Sequence, residues 1–278
     1  MGTSVTPLVD GLAFPEAPRW RDGRLWFSDM IGKRVCTATT DGAVDTVATF
    51  DEMPGGLGFL PDGTPLVVGM DSGRLYALNS DVRIHAELRG VAGGHLDDMV
   101  VAADGTAYIG AVGEMSPDSG NTAQGTIVRV GADGAVGVEA DGLAFPNGMV
   151  LAEDGRVLLV NETFAERITA FDIGADGALS DRRVWAELPG MHPDGLAIDA
   201  DGAVWVGCYA EEKFVRVTAG GGITDTIPTP GRWAVAVELG GDDGRTLFLL
   251  TARTDIERFF RGDSHGRIDT ACADVPRP

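Results

Sequence analysis

Six Asp-Gly pairs, 40 to 50 residues apart, each precede a short apolar run. The pairs are Asp22-Gly23, Asp62-Gly63, Asp104-Gly105, Asp154-Gly155, Asp201-Gly202 and Asp243-Gly244. Successive pairs lie 40, 42, 50, 47 and 42 residues apart. Self-similarity at such a period marks stacked supersecondary units, each unable to bury its apolar face alone. Asp-Gly suits a two-residue hairpin turn, in which both central residues take positive φ. Each pair is therefore expected to join two antiparallel strands. The strand after the turn reads as Leu25-Trp26-Phe27, Leu66-Val67-Val68, Ala107-Tyr108-Ile109, Val157-Leu158-Leu159, Val204-Trp205-Val206 and Leu247-Phe248-Leu249.

A third strand is expected around Val35, Leu75, Ile127, Ile168, Val215 and Ile268. Five units add a weaker fourth: Ala43 to Phe50, Val82 to Leu88, Ala135 to Ala140, Arg183 to Leu188, and Ile223 to Ile227. The sixth unit has only a short tail, whereas Val5 to Val9 resembles a fourth strand with nothing of its own before it. The pattern predicts an all-β chain, a single six-bladed β-propeller domain over residues 1–278. Each blade has four antiparallel strands, and the N-terminal strand completes the last one. Closing the ring matters because an open repeat leaves unpaired sheet edges. A sandwich is the competing architecture, since hairpin turns alone also fit it. No sustained 3.6-residue apolar pattern competes with the strands.

Composition narrows the partners. The 278 residues carry 22 basic and 42 acidic side chains, a formal charge of −20. Such a surface repels nucleic acid and anionic membranes, so neither is expected as a partner. No basic start or apolar run resembles a secretory signal, and no uncharged apolar stretch reaches the length of a membrane span. Three cysteines, Cys36, Cys208 and Cys272, form no C-x-x-C pair and suggest no disulfide framework. Cytoplasmic residence with reduced thiols is the expectation.

In a propeller the strand before each turn lines the central channel. Glu16 lies six residues before Asp22, while Asp97, Asn147 and Asp194 each lie seven before their Asp-Gly pair. At about 3.3 Å per residue they sit roughly 20 Å from the hairpin tips, all at one end of the channel. Four strands in equivalent positions would aim these side chains at one point on the axis. Separately, each has a structural reading. Asn147-Gly148 and Asp194-Gly195 resemble turns, Glu16 can accept loop amides, and Asp97-Asp98 can cap a turn. Their shared phase favours the joint reading. Converging carboxylates repel one another unless a cation neutralises them. Hard oxygen donors with no cysteine in phase favour Ca²⁺ or Mg²⁺ over zinc. His95 and His192, each two residues before an Asp of this set, leave a His/Asp transition-metal site open, or a place in the pocket wall. His85 and His265 have no such placement. No G-x-S-x-G elbow, P-loop or G-x-G-x-x-G before a helix is present.

At these residues the sequence resembles the regucalcin (senescence marker protein 30)/gluconolactonase/luciferin-regenerating enzyme family. The likeness rests on Phe14-Pro15-Glu16-Ala17-Pro18-Arg19-Trp20, Phe145-Pro146-Asn147-Gly148-Met149, Pro193 to Asp199 and Ala203 to Tyr209. The resemblance implies a six-bladed propeller whose central divalent cation is held by Glu16, Asn147 and Asp194, with Asp194 also the general base. Ca²⁺ leads as the ion, with Zn²⁺, Mn²⁺ or Mg²⁺ as alternatives. An Asn-Asp pair in the family contacts the metal-bound water or substrate; here it is Asp97-Asp98, so Asp97 replaces an amide and adds a charge. Sugar-lactonase members often carry an Arg two residues before that Asn, and this chain has His95 there.

These readings together lead to an expected hydrolysis of a small lactone, with Asp194 and Asp97 as the catalytic pair. The substrate would be bound among His95, Asp97, Phe145, His192 and Trp233, with Phe14 and Met53 at the same rim. Glu114 or Gln124 would come from the Gly-, Ser- and Pro-rich connection Ala111 to Gly125. Alternatives are a phosphotriesterase-like or aryl-ester hydrolase, a biosynthetic enzyme reusing the metal site, and a non-enzymatic scaffold. The partner is expected to be a small molecule; monomer and dimer both stay open.

Overall fold

The protein is represented by a computed structural model, in which the described residues are 4–113 and 125–278. Its strands form six four-stranded antiparallel sheets, five of them contiguous in sequence. The sixth combines Trp233–Gly240, Thr246–Arg253 and His265–Cys272 with the N-terminal strand Thr6–Leu12. The molecule is thus a six-bladed β-propeller. The N-terminal strand runs antiparallel to the last strand, with Thr6 opposite Thr270 and Leu12 opposite Gly266. It buries Val9 and Leu12 as it does so.

In each blade the outermost strand is the most exposed, and in the third and fourth blades the second strand is buried throughout. Pro54–Phe59 and Pro193–Ile198, two of the inner strands, are almost wholly buried, while the outer strands Val44–Thr49 and Gly222–Pro228 are mostly exposed. The middle strands therefore read as near-continuous apolar runs, and the outer ones as polar strands with single apolar positions. Blades grip one another through large side chains. Trp20 of the first blade stacks on Phe248 of the sixth with ring centroids 5.3 Å apart, and Trp26 meets Phe59 of the second edge-on at 5.3 Å. The buried Tyr108 hydroxyl donates to the Gly177 carbonyl of the next blade at 2.8 Å.

All six Asp-Gly pairs lie between the first and second strands of their blades. The expected two-residue turn with positive φ at both positions occurs cleanly at Asp22 and Gly23. At Asp154-Gly155 the left-handed stretch also includes Glu153. In the other four, only the glycine is left-handed. There the aspartate acts through its side chain: Asp62, Asp104 and Asp243 each accept the amide two residues on, at 2.9, 2.8 and 3.0 Å. At the fifth turn Asp199 replaces Asp201 in that role, accepting from the Asp201 and Ala203 amides. In these four turns the glycine amide also donates to the carbonyl three residues back, at 2.8, 2.9, 3.0 and 3.2 Å, so a backbone bond closes the turn and an aspartate side chain caps it.

Cys36 and Cys208 are buried, Cys272 is exposed, and none is in a disulfide. Among the described residues no helix is long and apolar enough to cross a membrane.

Candidate active site

Each inner strand starts at the same rim of the channel, and four start with proline: Pro15, Pro54, Pro146 and Pro193. Proline lacks an amide donor and is tolerated at the first position of a strand. The next residue is Glu16, Gly55, Asn147 or Asp194. In all six blades the pairing between first and second strands then slips, between Glu16 and Arg19, Pro54 and Leu57, Leu96 and Met99, Pro146 and Met149, Pro193 and Leu196, and Ala234 and Ala236. An extra residue in a ladder bends the strand and re-aims the side chain beside it. Here it turns that position toward the axis.

The inner strands crowd one another at this level. A Cβ on Gly148 would lie 2.5 Å from the Asp194 carbonyl oxygen, one on Gly195 2.5 Å from the Ala236 Cβ, and one on Gly56 2.4 Å from the Met99 amide nitrogen. The corresponding residue in the first blade is Ala17, left-handed at φ 47°, with its amide donating to Glu16 Oε2 at 2.7 Å.

Glu16, Asp97, Asn147 and Asp194 line one cavity of about 300 Å³. Asn147 and Asp194 are buried, and Glu16 and Asp97 half-buried. Burial pushes the Glu16 carboxyl well above its ordinary range, and the charges of Asp194, Asp97 and Asp98 push it further. Burial raises Asp194 as well, reinforced by Asp97 and partly opposed by a hydrogen bond with the Asn147 side chain. Asp97 is pushed up to about 7 by burial and by the neighbouring Asp98. Asp98 itself is tied down structurally. Arg19 reaches it at 3.0 Å and the Met99 amide donates to it at 2.8 Å.

Buried polar side chains brace this floor. Asn161 Nδ2 donates to the Asp194 carbonyl at 2.6 Å, and Thr163 Oγ1 to the Pro193 carbonyl at 2.8 Å. Ser28 Oγ donates to the Gly55 carbonyl at 2.7 Å. Two further carboxylates hold the segments that enter the inner strands. Asp29 accepts from the Ala13 and Phe14 amides and from Arg34. Glu162 accepts from the Ala144 amide and from Arg167 and Arg182. These clamps join residues of different elements, and sequence reasoning passed over them.

Phe14, Phe145 and Trp233 line the same cavity. Met53 packs against the main apolar core. His95 opens instead onto a neighbouring depression with Asp71, Ser72 and Arg89, its Nδ1 3.2 Å from Asp71 Oδ1. His192 is held by Glu211 at 2.8 Å and lies edge-on to Tyr209. Glu114 and Gln124 lie outside the described residues. The lining also includes Met30, Met70, Thr163 and Tyr209, each the first residue after a second strand, and Ile256, Phe259 and Phe260 from a short helix. The first group had a usable signal, because the end of the second strand faces the start of the inner one.

Among the described residues, no basic side chain pairs with Glu16, Asp97 or Asp194, while Asp98 has Arg19. Buried negative charge without a protein counter-charge is the condition that a bound cation relieves. Glu16, Asn147 and Asp194 offer hard oxygen donors of the kind that calcium and magnesium take. Among the described residues no three His, Cys, Asp or Glu side chains form a ready metal cluster; a set of two carboxylates and one amide is of a different kind. The residues present fit a hard divalent cation.

Residues 14–253 match the family described as SMP-30/Gluconolactonase/LRE-like region. The 6-deoxy-6-sulfogluconolactonase of Pseudomonas putida is 26% identical over 86% of this chain and 83% of its own length. The pentonolactonase XacC of Haloferax volcanii is 25% identical over 91% of this chain and 86% of its own. A solved structure described as a calcium-binding protein, regucalcin, from Agrobacterium tumefaciens superposes with a TM-score of 0.83 at 20% identity, covering 100% of this chain and 96% of that one.

Proposed function

The chain belongs to the SMP-30/gluconolactonase/LRE-like family, and on that footing we propose that it is a metal-dependent hydrolase of a small lactone. The observation that carries the reading is that Glu16, Asn147 and Asp194, with Asp97 beside them, line the floor of one cavity with no basic partner among the described residues. Two relatives that match along most of their length are named as lactonases. The oxygen donor set and the calcium-binding description of the Agrobacterium protein favour Ca²⁺.

Glu16, Asn147 and Asp194 would hold the ion, which when bound polarises the lactone carbonyl and stabilises negative charge on its oxygen. The Asp194 carboxylate takes a proton from the water that attacks the carbonyl carbon. The Asn147 hydrogen bond orients that carboxylate. Asp97 positions the water or the substrate, and Asp194 passes the proton it has taken to the departing ring oxygen. The ring carbon–oxygen bond breaks, and lactone plus water become one hydroxy acid. Aromatic walls exclude bulk water from the floor.

Stripping the protein with a chelator is expected to abolish turnover of a lactone panel, and added Ca²⁺ to restore it. Full turnover after elemental analysis shows the metal gone would sink the metal-dependent reading. Asp194→Ala is expected to lower kcat by at least about a hundredfold with the circular dichroism spectrum kept. Near-normal turnover would remove Asp194 from the role.

A further inference from the structure

Above its four polar floor residues the cavity changes character. Tyr209 and Trp233 meet edge-on at 4.9 Å, Phe14 and Phe259 at 5.1 Å, and Phe145 stands on the opposite side, 5.1 Å from Phe164. Phe259 and Phe260 come from the helix Ile256–Phe260, which lies between the second and third strands of the sixth blade. The helix is capped by Asp255, which accepts the Arg258 amide at 2.9 Å. It holds Phe260 38% exposed at the cavity. Leaving such apolar surface in water costs free energy that a ligand with a matching group recovers.

Among the described lining residues none is basic. The Thr163 hydroxyl is already spent on the Pro193 carbonyl. Among the described lining side chains, only the Tyr209 hydroxyl and the Trp233 indole remain to meet polar groups above the floor. A polyhydroxylated ring in this wall would surrender its hydrogen bonds to water without replacing them, a loss that hydrophobic contact does not offset. A flat aromatic ring instead finds faces and edges at stacking distance. A volume of about 300 Å³ is at the small end of ligand sites and suits one compact molecule.

We propose that the substrate is a lactone bearing or fused to an apolar ring, its carbonyl on the Glu16–Asn147–Asp194 floor and its ring among Phe14, Trp233, Phe259 and Phe260. The assignment rests on the lactone-hydrolase reading, so the test reads binding and turnover separately. Titration calorimetry compares two unreactive lactams, 3,4-dihydro-2-quinolone and the polyhydroxylated gluconolactam, on protein with and without Ca²⁺. The bicyclic lactam should bind at least about tenfold more tightly. Phe259→Ala and Phe260→Ala should each weaken it severalfold while leaving the spectrum of the fold intact. In parallel, kcat/KM for dihydrocoumarin should exceed that for glucono-δ-lactone by about tenfold or more. Equal or reversed lactam affinities, or binding of neither, would overturn the inference, as would measurable hydrolysis of both lactones with equal kcat/KM or with glucono-δ-lactone the faster. Selective binding of the bicyclic lactam with hydrolysis of neither lactone would keep the apolar preference and sink the lactonase reading alone.

Discussion

Glu162 and Asp194 are both buried carboxylates on adjacent blades, and burial pushes both toward the neutral form. At Glu162 the push is overcome. Hydrogen bonds from Thr169 and the Ala144 amide, and the Arg167 guanidinium, bring its pKa below the ordinary 4.5. At Asp194 the neighbours are acidic and the pKa rises. The first arrangement is a structural clamp; the second is the unpaired buried charge on which the proposed cation site rests. Because Glu162 binds its proton less readily folded than unfolded, it stabilises the fold above the unfolded value near 4.5. That contribution is lost as pH falls through the lower folded value. Glu162→Gln is expected to cost about 1–3 kcal/mol at pH 7. Paired urea titrations of wild type and variant should show the gap narrowing below about pH 4; a gap independent of pH would remove the charge from the explanation.

At the scale of elements, the slip in each inner strand and the glycines beside it place the floor. Gly148→Ala would drive a Cβ against the Asp194 carbonyl oxygen at 2.5 Å and the Gly195 Cα at 2.7 Å. Backbone atoms cannot swing aside, so a loss of about 1–3 kcal/mol and a misplaced Asp194 are expected. Thermal unfolding and lactone turnover should fall together. Gly137→Ala, on an outer strand with nothing within 4 Å, should stay within about 0.5 kcal/mol and serves as the control. The strands and the floor were legible because Asp-Gly recurs in sequence and because Glu16, Asp97, Asn147 and Asp194 keep nearly constant offsets from it. The slips were not legible, since an extra residue shows only when two strands are paired. The helix Ile256–Phe260, at five residues, is too short to leave a 3.6-residue apolar signature. His95 shared the phase of the floor yet opens onto the neighbouring depression. Periodicity locates a side chain along a strand but not its final rotamer.

For the whole molecule, closure of the ring is the largest single long-range commitment. Removing residues 1–12 would expose the free edge of His265–Cys272 and strip Val9 and Leu12 from the core. A loss of about 3–6 kcal/mol is expected from these two side chains and their cavity. Calorimetry should show a lower midpoint, and light scattering more association through the bared edge. An unchanged midpoint would mean that the sixth blade holds without its fourth strand.

The Thr270 hydroxyl donates to the Thr6 carbonyl across 264 residues of sequence. At a ribosome adding about 5–20 residues per second, the strand Thr6–Leu12 has no mate for tens of seconds. Five blades can assemble in turn during that interval, yet the circle stays a horseshoe until His265–Cys272 has been made. Ring closure is therefore a late step, taken only when Thr6–Leu12 meets His265–Cys272.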